Sequence, residues 1–249
     1  MQKFSSGDLQ TLTVSLESLH LGHAVDLMRK SKAVSKTAKT GWEKELVQRC
    51  AISSILHGFC ALESTINYFG YEMFFYKDSQ RYIPTETRDY LLTKFLANWD
   101  KGKALEKLEF IFSYSKASLP EKLLNELREL NNLRNLIAHG FVYRTTLLLD
   151  PQDSPDNDEN TQSYSVIDTE DNVDWKKKFP NTKFKPLAKM DFDDSQVALT
   201  IVLKVLKIFS ETFSHPINLV TCEYPASYTL LWKESFDIQE IVKFDYNHK

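Results

Sequence analysis

Between residues 119 and 144 the chain reads LPEKLLNELRELNNLRNLIAHGFVYR, with Leu123, Leu127, Leu130 and Ile137 recurring every three or four residues among polar groups. That spacing matches the 3.6-residue turn of an amphipathic helix. In this register Arg134 falls on the apolar stripe, four residues after Leu130 and three before Ile137. A permanent cation stands where a leucine is expected. Ser118, followed by Pro120 and Glu121, gives a capping-box start. Gly140, just after Ala138-His139, gives the stop.

The same pattern predicts further helices. Residues 42–76 lack proline and are apolar on nearly every turn, so one long buried helix is expected from about Gly41 to about Phe74. Pro84-Thr85-Glu86 opens another through Trp99, KALEKLEFIFSY (103–114) gives a third, and DDSQVALTIVLKVLKIFSETF (193–213) is strongly amphipathic. FVYRTTLLLD (141–150) and TQSYSVIDTE (161–170) read as short strands, a hairpin whose tip is the acidic tract DPQDSPDNDEN (150–160). The segment from there to Lys189 reads as loop, and TLLWKESFDIQEIVKF (229–244) fits strand or helix. The expectation is a single all-α domain over residues 1–249, carrying an insertion at 141–192.

Composition narrows the classes. Apolar residues make up 42% and charged residues 26%, as in an ordinary globular protein large enough to bury a core. Seven glycines in no loop pattern argue against a dinucleotide or phosphate-loop fold. Cys50, Cys60 and Cys222 form no CxxC pair, so neither a disulfide framework nor a zinc ribbon is expected. No apolar run approaches a membrane span, and MQKFSSGDLQTL is unlike a signal peptide, so a cytoplasmic protein without membrane contact is expected.

A net charge of −3 does not by itself point to nucleic acid, but the cations cluster. RKSKAVSKTAK (29–39) has five and no acid; WKKKFPNTKFKPLAK (175–189) has six lysines beside Trp175, Phe179 and Phe184. Lysines among aromatics can hold a phosphate backbone and stack bases. Equally, the segment can be a solvated loop whose aromatics fold onto the core. Lys176, Lys177 and Lys178 are the candidate substrate guides.

Asn131, Asn135 and His139, at i, i+4 and i+8, line one helix edge, with Arg134 about 140° from His139 around the axis. A long arginine near the helix end can still reach forward toward the imidazole. A fixed cation, an amide and a group titrating near neutrality suit phosphodiester chemistry. In RNA the 2′-hydroxyl is a built-in nucleophile, so neither a metal nor a cofactor is required. The other reading is structural: Arg134 pairs with a buried carboxylate such as Glu63, and His139 complements the helix C-terminus.

Arg134-Asn135-Leu136-Ile137-Ala138-His139 resembles the Arg-x4-His motif of the HEPN superfamily. ALESTINYF (61–69), with Glu63 and Asn67 one turn apart, is similar to its first core helix. The resemblance covers roughly residues 42–140 and 193–213. It implies an up-and-down helical bundle that dimerises, bringing two motifs into one cleft, and a metal-independent endoribonuclease of toxin–antitoxin or phage-defence systems. Arg134 would stabilise the scissile phosphate, His139 act as general acid or base, Asn135 orient, Asn131 contact substrate and Glu63 support. RNA, a second copy and an antitoxin protein are the implied partners. A catalytically silent module binding a partner protein or nucleotide is the alternative. Where toxins paired with a nucleotidyltransferase carry a tyrosine two residues after the histidine, this chain has Phe141, with Tyr143 the nearest tyrosine.

Other groups carry weaker expectations. His20 and His23 have a metal-like spacing, but no third ligand lies near them in sequence, so surface histidines are expected. His57 is expected as a core histidine, Cys60 as a small buried hydrophobe, and His215-Pro216 as a helix terminator.

Overall fold

The computed structural model describes residues 16–74, 99, 102–139, 146–149, 164–168, 174–214 and 238–243. Seven helices run through them: α1 (Glu17–Ser35), α2 (Gly41–Phe74), α3 (Ala104–Tyr114), α4 (Glu121–Ala138), α5 (Trp175–Lys178), α6 (Phe192–Phe213) and α7 (Ile238–Lys243). A 3-10 turn, Leu187–Lys189, precedes α6, and β1 (Thr146–Leu149) pairs antiparallel with β2 (Tyr164–Asp168). Apart from that ladder the described residues are all-α. No described helix is long and apolar enough to cross a membrane. The helix expected from Pro84 and the acidic tract fall outside the described residues.

α2 is the central helix, packing against α1, α3, α4 and α6. Its Ile55, Phe59, Leu62 and Ile66 are fully buried, and each such side chain contributes about 1.5–3 kcal/mol by leaving water. Close approach depends on two glycines. A Cβ at Gly58 would come within 3.0 Å of Leu199 on α6, and one at Gly70 would overlap the Trp99 indole.

α4 departs from the expected stripe. Leu123, Leu127, Leu130 and Leu133 are its buried leucines, whereas Arg134, Leu136 and Ile137 are only partly covered. The core face continues through Leu133, so Arg134 sits at its edge. The start also differs. Pro120, in extended conformation, is the N-cap residue and no side chain caps the helix, so Ser118 lies two residues too early. Glu121 then occupies the first helical position rather than the third, where it cannot close a capping box.

The basic segment 175–189 is not a plain loop. Asp174 caps α5 by accepting from the Lys177 amide, and Trp175 stacks on Phe179 with ring centroids 5.2 Å apart. Trp175, Phe179 and Phe184 are buried, so these aromatics belong to the core and are not a platform for bases. The segment is clamped to α4 by buried Glu129, whose carboxylate accepts from the Asn181 amide (3.1 Å), the Thr182 amide (2.8 Å) and Thr182 Oγ1 (2.7 Å). Burial pushes the Glu129 carboxyl up, but the donors from Thr182 and Asn181 outweigh it and hold the group below its ordinary value.

Candidate functional site

Arg134 does not reach forward to His139. Its Nη2 donates across to Glu63 on α2, 2.6 Å from both carboxylate oxygens, and its Nη1 donates to Asn135 Oδ1 at 2.9 Å. The guanidinium carbon lies 5.0 Å over the Phe59 ring. The two charged side chains are 24% and 28% exposed, so the pair sits at the rim of the core with solvent on one side. The helix periods of α2 and α4 bring it about: Phe59 and Leu62 face the core, and Glu63 emerges beside them at the edge where Arg134 leaves the buried face of α4.

Three of the expected residues, Glu63, Arg134 and Asn135, therefore form one hydrogen-bonded cluster. His139 stands apart as the C-cap of α4, exposed, with its amide donating to the Asn135 carbonyl at 3.0 Å. Its ring makes no hydrogen bond with a described residue. Asn131, one turn before Asn135, is half-buried. Asn67 serves a different cation: it accepts from Lys107 Nζ at 2.8 Å, and that buried ammonium lies 5.3 Å from the Trp99 ring centroid. Cys60 is half-buried, and its thiol is pushed up by burial and by the Glu63 carboxylate, against the opposing pull of Arg134. A thiol so held is a poor nucleophile.

Guanidinium carries five N–H donors. Among the described residues, both Glu63 oxygens approach Nη2 and Asn135 approaches Nη1, which leaves Nε–H without an acceptor. The carboxylate meanwhile cancels much of the arginine's charge. The cluster can thus orient a planar donor fork, with an exposed imidazole at the end of the same helix.

The three lysines expected to guide substrate divide. Lys176 and Lys177 are exposed, with Lys177 in an ion pair to Asp174 at 3.2 Å, while Lys178 is half-buried. Two surface grooves of about 470 and 370 Å³ run along α4, α6 and α7 and share Glu126 and Lys204, but neither includes Glu63, Arg134 or His139. Of the His20-Leu-Gly-His23 pair, His23 is exposed and His20 half-buried; His20 Nδ1 lies 3.0 Å from Nδ1 of half-buried His57, a contact between α1 and α2 that single-helix periodicity does not reveal. Compared with models of known protein families, with curated proteins and with solved structures, the chain has no match.

Proposed function

We propose that the protein is a HEPN-like, metal-independent endoribonuclease that acts as a homodimer in toxin–antitoxin or phage-defence biology. The observation that carries this reading is the preorganised Arg134 fork, held by Glu63 and Asn135 near the C-terminus of α4, with exposed His139 at the cap. In this reading the fork's free Nε–H binds the scissile phosphate and stabilises the charge that builds on it. His139 takes the proton from the RNA 2′-hydroxyl as that oxygen attacks phosphorus. The 5′-oxygen leaves, and receives a proton from His139 of a second copy across a two-fold cleft. The products are a 2′,3′-cyclic phosphate and a 5′-hydroxyl. Asn131 and Lys176, Lys177 and Lys178 would contact the RNA strand beyond the reacting atoms. An antitoxin protein would silence the site by covering the cleft.

The test is cleavage of several RNA classes by the purified protein in excess EDTA, beside His139→Ala and Arg134→Ala variants of verified fold. Cleavage by wild type alone, leaving cyclic phosphate ends, is the expected result. Activity surviving in both variants would sink the assignment. A wild-type protein that dimerises yet leaves every RNA intact would favour the second reading, a silent module that binds a protein or nucleotide. The feature on that side is the Glu63 carboxylate, both of whose oxygens already lie 2.6 Å from Nη2 of Arg134.

A further inference from the structure

Outside the Arg134 cluster, the least expected polar contact joins α1 to α2. His20 Nδ1 and His57 Nδ1 are 3.0 Å apart, and the His23 ring meets His57 edge-on with centroids 4.5 Å apart. A bond between two Nδ1 atoms needs one to carry hydrogen and the other to be bare. Neutral or singly protonated, the pair satisfies this. Doubly protonated, it cannot: two N–H groups would point at each other, and two positive rings would touch.

Among the described residues the surroundings offer no relief. From α1 the groups facing His57 are the other two histidines, and from α6 the neighbour of this stretch is apolar Leu199, packed against Gly58. The acids on flanking turns of α1, Glu17 and Asp26, are buried, and Glu17 accepts from Thr65 Oγ1 on α2 at 2.8 Å. On α2 the next turn brings Cys60, whose thiol is held protonated. Among the described residues no three His, Cys, Asp or Glu side chains are arranged to hold a metal ion.

We propose that His20, His23 and His57 form a proton-operated latch that holds the first half of α1 against α2 near neutral pH and releases it on mild acidification. The sign is consistent with the environment of His57, which burial, then His23 and His20, hold below its ordinary value. A histidine with a depressed folded value contributes stability that is complete above the unfolded value of about 6.5 and is lost as pH falls through the folded one. The latch stands independently of the ribonuclease reading, although Phe59, under the Arg134 guanidinium, is only two residues from His57.

Hydrogen exchange of the full chain at pH 7.5 and 5.5, corrected for intrinsic chemistry, tests it in wild type and His57→Gln. In wild type, the protection of α1 amides near Leu21–Val25 is expected to fall severalfold relative to α6 as protons enter the cluster. The variant should lose that pH dependence. The same fall in both proteins would overturn the latch. So would zinc chloride at pH 7.5 raising α1 protection in wild type alone, because the cluster would then be a metal site. Should the variant not fold, the imidazole nitrogens of wild type decide. Coupled titration, with the second proton entering well below the first, supports the latch; three independent titrations at ordinary values refute it.

Discussion

At the scale of single residues, the pairing of Arg134 with Glu63 was open to sequence reasoning, whereas the position of His139 relative to it was not. A cation at the edge of an apolar stripe needs a carboxylate within reach, and Glu63 emerges from the neighbouring core helix at the matching turn. The forward reach to His139 failed because bonds to Glu63 and Asn135 outcompete an exposed imidazole. Replacing Glu63 by Gln separates the two roles of the arginine. If Arg134 serves RNA, releasing its charge should steepen the fall of RNA affinity with salt by about one unit on the log–log slope. It should also cost about 1–3 kcal/mol of stability, the scale of a charged hydrogen bond. Titrating binding against potassium chloride checks the first part and urea unfolding the second. A stability loss with an unchanged salt slope would leave Arg134 a structural residue.

At the scale of elements, α2, α3 and α6 were legible because their apolar periods are long and uninterrupted, and their observed bounds lie within a residue of those expected. The start of α4 and the 175–189 segment were not, since both depend on contacts distant in sequence. Nothing local distinguishes Glu129 from the other acids of α4, yet it anchors Asn181 and Thr182. Its folded value is depressed, so its contribution is complete above the unfolded value of about 4.3 and is lost as pH falls through the folded one. Glu129→Gln should cost about 2 kcal/mol at pH 7, shrinking toward zero in acid, as read from urea midpoints across pH. A constant difference would show packing rather than charge. At the head of α6, Asp194 behaves oppositely. Burial pushes its carboxyl up to about 6 against the amides of Lys185 and Asp191. A carboxyl-carbon NMR titration should place its midpoint there; a value near 4 would mean that water reaches the cap.

At the scale of the molecule, the described helices share one core in which α2 touches every long helix, and the motif helix α4 packs against both α2 and α6. Its buried leucines fix its axial rotation. The edge carrying Asn131, Asn135 and His139 is thereby set, without being covered by any described hydrogen-bond partner for the His139 ring. A histidine that must act once as base and once as acid is better served by two copies than by one, which is why the proposed chemistry demands dimerisation through this edge. The consequence is stoichiometric. Mixing wild-type chains with inactive His139→Ala chains should lower RNA cleavage by more than dilution does, because each heterodimer has lost one of the two histidines. Light scattering should show wild type at twice the chain mass. A monomer that still cleaves RNA would break the two-histidine scheme while leaving the Arg134 fork in place; activity that falls only in proportion to the wild-type chains present would mean that each motif acts alone.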